Sequence, residues 1–132
     1  MNDLFAWTFP GGKLRYIRLS ETTTNGTVTV SLQPAVGKKW VILYATGEHD
    51  DGVARSSYWM QYDGTNTDVM SPGASIAASV KCVLGAVHHF AAGYVLYPRL
   101  VASYTVYFKF RAEALATTKK AIVYALVLEI DE

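Results

Sequence analysis

Apolar and polar positions alternate with a period of two along much of this chain, the mark of β-strands with one covered face. The cleanest instance is residues 27–33, where Val28, Val30 and Leu32 alternate with Thr27, Thr29, Ser31 and Gln33. Residues 13–21 carry a weaker version, with Ile17 and Leu19 set against Arg18 and Ser20. Between the two lies Asn25-Gly26, a dipeptide that readily supplies the positive φ angles of a tight turn, so a hairpin is expected there. Asn25-Gly26-Thr27 also spells a glycosylation sequon, but the start of the chain lacks the basic and apolar regions of a signal peptide, and the turn is the stronger reading. After the turn Pro34-Ala35-Val36-Gly37, Trp40 to Ala45 form an unbroken apolar run. That run is too short for an ordinary helix and rich in β-branched and aromatic types, which predicts a strand covered on both faces.

Further along, Gly47-Glu48-His49-Asp50-Asp51-Gly52 reads as a polar loop. Residues 53–62 alternate again, Ser56, Tyr58, Met60 and Tyr62 on one side and Arg55, Ser57, Trp59 and Gln61 on the other. Asp63-Gly64 then offers a hairpin turn into a short strand over 65–70, closed by Ser71-Pro72-Gly73. Residues 74–87 fit either a helical turn or two, through Ile76, Val80, Val83 and Leu84, or a strand from 80 to 87; strand neighbours favour the strand. Residues 88–93 read as a connection, and a strand over 94–97 ends at Pro98.

Two long strands are expected at the end. Over 101–111, Ala102, Tyr104, Val106, Phe108 and Phe110 share a face; over 121–130, Ile122, Tyr124, Leu126, Leu128 and Ile130 oppose Val123, Ala125 and Val127. The last strand is apolar on both sides, so it is either the middle of a sheet or a contact between subunits, and Val123 and Val127 are candidate interface residues. Eight or nine strands joined by Gly, Asn and Asp turns describe an all-β protein, an antiparallel β-sandwich with a jelly-roll-like path. One domain, residues 13–132, follows an N-terminal arm, residues 1–12. Phe5, Trp7 and Phe9 give that arm a reason to pack, on its own domain or on a neighbouring subunit.

Composition sharpens the picture. Charged residues make up only 17% of the chain against 51% hydrophobic, whereas an average soluble protein carries roughly 25% charge. A small domain short of charge is expected to hide surface against other chains, so a homo-oligomer is predicted. Net charge of +1 gives no general electrostatic reason to bind nucleic acid or anionic membranes. A lone Cys82 cannot form an internal disulfide, in keeping with a reducing compartment or a particle assembled inside a cell.

Chemistry-bearing residues are sparse. Glu48-His49-Asp50-Asp51 suggests a calcium loop, but consecutive acids point apart, which favours a solvated hairpin loop. His88 and His89 are adjacent, so an extended chain sends their rings to opposite faces, and only Cys82 and His49 remain as further zinc ligands. Cys82 sits among Val80, Val83 and Leu84, where the ordinary role is a small buried hydrophobe. No metal, cofactor or catalytic set is therefore assigned. Trp7, Trp59, Tyr62 and Tyr97 are candidates for a sugar-stacking platform, although aromatic residues on strands more often fill a core or an interface.

The alternating strand at 28–32, the Pro34-x-x-Gly37-Lys38-x-Trp40 turn, the apolar strand to Ala45, and the late strands ending in acidic residues together resemble small jelly-roll virion proteins of tailed bacteriophages. These are capsid decoration or cement proteins and the head domains of fibres. The resemblance covers about two thirds of the chain and does not extend to residues 72–93. It implies a homotrimeric, non-catalytic sandwich, assembled in the host cytoplasm, whose arms and strand edges bind the major capsid protein or another virion protein. A receptor- or carbohydrate-binding fibre head is the alternative it carries.

Overall fold

A computed structural model describes residues 12–23, 26–70, 74–84, 89–90, 93–94 and 100–132. Twelve strands run in chain order: β1 (Lys13–Thr22), β2 (Val28–Leu32), β3 (Lys38–His49), β4 (Arg55–Tyr62), β5 (Thr67–Val69), β6 (Ala74–Ile76), β7 (Cys82–Val83), β8 (His89–Phe90), β9 (Gly93–Tyr94), β10 (Leu100–Ser103), β11 (Tyr107–Ala112) and β12 (Lys120–Asp131). The described residues contain no helix.

The first sheet has the order β1-β12-β3-β10, with β7 also on β3; the second has the order β2-β11-β4-β5, with β6 also on β4. All of these pairings are antiparallel. The pairs β1·β12, β2·β11, β3·β10 and β4·β5 nest inside one another, so the chain is a long hairpin rolled into two facing sheets. That is the jelly-roll path, and its tip is the turn at Asp63-Gly64. Asp63 Oδ1 accepts the N–H groups of Thr65 at 2.9 Å and Asn66 at 2.7 Å, and Gly64 sits at φ 96. Seven of the expected strands supply the two main paths, the one expected over 101–111 giving both β10 and β11. The short β6 and β7 lie off these paths, β7 within the strand expected over 80–87, and among the described residues β8 and β9 pair only with each other.

Inward residues of both sheets form one core, which includes Val30, Leu32, Trp59, Phe108, Phe110, Val123 and Val127. Trp59 stacks at a tilt on Phe110, ring centroids 5.4 Å apart, and its Nε1 donates to the Cys82 carbonyl at 2.8 Å. Gly47 lies directly over the Phe110 ring; a Cβ there would stand 2.3 Å from Cδ1.

Several expectations are corrected. Asn25-Gly26 does not close a hairpin, because β1 and β2 belong to different sheets; Gly26, at φ 99, instead lets the chain cross between them. The single strand expected over 101–111 is two. Ser103 and Val106 close a turn, N–H to carbonyl at 2.7 Å, and the chain passes from the first sheet to the second there. Residues 47–49 are not a loop, since β3 runs on to His49 and Glu48 and His49 are buried. Within 74–84 the chain makes two short strands around a turn and no helix, which agrees with the strand favoured over 80–87, whose residues 85–87 lie outside the described residues.

Candidate interaction surface

The central strand β12 decides which residues are free to meet a partner. Its small side chains, Val123, Ala125 and Val127, face the second sheet, and each is 0% exposed. Val123 and Val127 are thus core residues of their own domain, which corrects their assignment to a subunit interface. The size pattern explains the inversion: small residues let the two sheets close up, and the larger set Ile122, Tyr124, Leu126, Leu128 and Ile130 points to the outer side. Phe5, Trp7 and Phe9 lie outside the described residues.

A β-bulge in β3 completes that outer face. Leu126 pairs with Tyr44 and Val127 with Ile42, leaving Leu43 as the extra residue. Trp40 and Ile42 point inward before the bulge, and Ala45 and Gly47 point inward after it. The switch in phase turns Tyr44 outward, where it is 52% exposed.

Register then assembles two apolar rows across the first sheet. One runs Leu14, Leu128, Val41, Val101, and the other runs Tyr16, Leu126, Tyr44. Leu14, Tyr16, Tyr44 and Val101 are exposed, Tyr16 at 73%. Leu128 and Val41, which lie between Leu14 and Val101, are buried at 2% and 1%, so the exposed apolar side chains of this face are Leu14 and Val101 at the ends of one row and Tyr16 and Tyr44 at the ends of the other. Beside them Arg18 and Lys81 lie over the Tyr124 ring, at 5.8 and 4.9 Å, and Lys81 Nζ donates to Glu48 Oε1 at 3.2 Å. That ion pair raises the Lys81 ammonium above its ordinary value. The exposed part of this face is therefore apolar and aromatic, with cations along one side, an arrangement suited to burying against another protein.

The remaining polar side chains are engaged in holding loops. His49 is buried, its Nε2 2.6 Å from the Ile76 carbonyl and its Nδ1 accepting the Asp51 N–H at 3.1 Å, so the geometry assigns the proton to Nε2. Asp51 accepts from the N–H groups of Ala116 at 2.8 Å and Val53 at 3.0 Å and from Arg55 Nε at 3.0 Å. Those donors, the Ala116 N–H foremost, hold its carboxyl down at about 2. Glu129 is likewise lowered, first by Trp40 Nε1 at 2.8 Å and then by Arg15 at 2.7 Å. Among the described residues no group of three or more His, Cys, Asp or Glu is arranged to hold a metal ion. Cys82 is half-buried and its thiol is pushed up by that burial.

Of the sugar-platform candidates, Trp59 is withdrawn into the core, and Trp7 and Tyr97 lie outside the described residues. Tyr62 instead meets Tyr107 on the outer side of the second sheet, centroids 5.3 Å apart, with Lys109 Nζ 4.9 Å from the Tyr62 ring. Tyr16 and Tyr44 were missed from sequence. Tyr16 could have been found, because it stands opposite Ile17 on a period-two strand; Tyr44 was hidden by the bulge. No protein-family model, curated protein or solved structure matches the chain.

Proposed function

We propose that this chain is a non-enzymatic structural protein of a virion, a capsid decoration protein that binds the capsid shell through the outer face of its first sheet. The observation that carries the reading is the exposed apolar group Leu14, Tyr16, Tyr44 and Val101, placed in register on the outer side of the first sheet of a domain short of charge. Support also comes from the engaged state of Glu48, His49, Asp51 and Glu129, each held by structural partners. Burial of apolar area supplies affinity at each site, and a repeated lattice multiplies weak contacts when copies are joined to one another. Sedimenting shells assembled from the major capsid protein of the encoding phage, with purified chain added, tests the reading. Saturable co-sedimentation is expected; chain left wholly in the supernatant rejects it.

A second reading, a carbohydrate-binding fibre head, draws on the Tyr62, Tyr107 and Lys109 cluster, since tilted aromatic rings offer faces for sugar stacking. Glycan-array binding that disappears in Tyr107→Ala with the fold retained would select this reading over the first.

A further inference from the structure

We infer that β1 is a self-recognition edge, and that two copies join by antiparallel β1 to β1 pairing about a two-fold axis passing through Ile17. Among the described residues β1 pairs only with β12, so the other side of this ten-residue strand presents a ladder of backbone donors and acceptors. Nearly all its side chains are exposed or half-buried; Ile17 alone is buried. The opposite edge of the same sheet is broken into the short β10 and β7. A long edge facing a broken one favours pairing of like with like over a head-to-tail ring.

Register follows from the side chains. The two sheets of both copies stay continuous only if paired residue numbers sum to an even value, because odd sums set an inward side chain against an outward one. A sum of 34 pairs residues 13–21 of each copy. It sets Lys13 opposite Glu21, Arg15 opposite Leu19, Tyr16 opposite Arg18, and Ile17 opposite itself. The Lys13–Glu21 charge pair forms twice by symmetry, and Arg18, already over Tyr124, gains a second aromatic face in the partner's Tyr16. Moving by one step to a sum of 36 places Arg18 opposite Arg18, a destabilising like-charge contact. A sum of 32 leaves Lys13 and Arg18 opposite Leu19 and Leu14 with no acid across from either. Arg15 is satisfied within its own chain by Glu129 at 2.7 Å.

Cationic residues on an exposed edge usually guard against pairing. Here they discriminate among pairings, since only one long register compensates them. The outer apolar rows of the two copies also become neighbours, so a joined pair presents both surfaces on one side. This edge does not depend on the shell contact: a paired chain that ignores shells and a monomer that binds them separate the two proposals.

The test is a cysteine scan in the full chain with Cys82→Ser. Disulfides need Cα atoms within about 7 Å, so each register cross-links its own set. Tyr16→Cys combined with Arg18→Cys is expected to give a covalent dimer after diamide oxidation, while Tyr16→Cys alone and Arg18→Cys alone stay monomeric on denaturing gels. In the chain without added cysteines, Glu21→Lys should raise the dimer dissociation constant at least about tenfold by sedimentation equilibrium. Glu21 is exposed, so folding is retained and checked by circular dichroism. A monomer at every micromolar concentration, a trimer, or cross-linking by either single cysteine overturns the inference.

Discussion

Replacing Gly47 with alanine asks whether the two sheets are as closely packed as the fold requires. A Cβ at this position would stand 2.3, 2.4 and 2.7 Å from Cδ1, Cγ and Cδ2 of Phe110, where ordinary contact begins near 3.4 Å. The ring must therefore retreat by about an ångström. Phe110 is 0% exposed and backed by Trp59 at 5.4 Å, and Trp59 is itself tethered to the Cys82 carbonyl. Overpacking a closed core costs about 1–3 kcal/mol, and with the nearest ring unable to turn aside the upper end applies, about 3 kcal/mol. Urea denaturation at neutral pH should show the midpoint shifted with the slope unchanged, and the melting temperature about 10 °C lower. Phe110→Ala removes Cγ, Cδ1 and Cδ2, the three atoms the new Cβ would meet, so the double variant should be more stable than the sum of the single losses by at least about 1 kcal/mol. A Gly47→Ala protein within about 0.5 kcal/mol of the parent would refute the packing argument.

Asp51 makes the domain acid-sensitive: its carboxyl falls from 3.8 to about 2 on folding, so its stabilisation is present above pH 4 and lost as pH falls toward 2. Urea midpoints measured between pH 6 and 2 should decline across that window, and Asp51→Asn should be less stable at pH 6 with a flatter decline. Val127→Ala should cost about 2 kcal/mol in urea unfolding with the association state unchanged in sedimentation, as befits a core residue rather than an interface one. Deleting residues 1–9 should weaken shell binding while leaving the unfolding midpoint in place; equal co-sedimentation by the truncated chain would remove the arm from the attachment.

Strands that alternate cleanly and stay in one sheet were legible from sequence, as with Val28, Val30 and Leu32 in β2. Turn residues were legible only locally. Asp63-Gly64 does close a hairpin and Gly26 does take positive φ, yet nothing in Asn25-Gly26 says whether the next strand pairs with the last or crosses to the other sheet. Residues 101–111 failed for a related reason: Ser103 and Thr105 fall on the polar phase of the alternation, so the crossing turn is concealed within a continuous pattern. Glu48 to Asp51 looked solvated because these residues are polar, whereas each finds a partner from another loop or strand. The candidate surface suffered most. A strand apolar on both sides does not reveal which side is core, and the answer depended on size: Val123 and Val127 fit between sheets, and the bulge at Leu43 sent Tyr44 outward.

The central claim is that the outer face of the first sheet binds the capsid shell, and its most direct test is the shell affinity of Tyr44→Ser combined with Val101→Ser. Both side chains are exposed, lie away from the β1 edge, and belong one to each apolar row. Removing two such side chains from a buried contact should weaken binding by about 3 kcal/mol, roughly a hundredfold in dissociation constant, with the unfolding midpoint unchanged. Co-sedimentation indistinguishable from that of the parent chain would contradict the account.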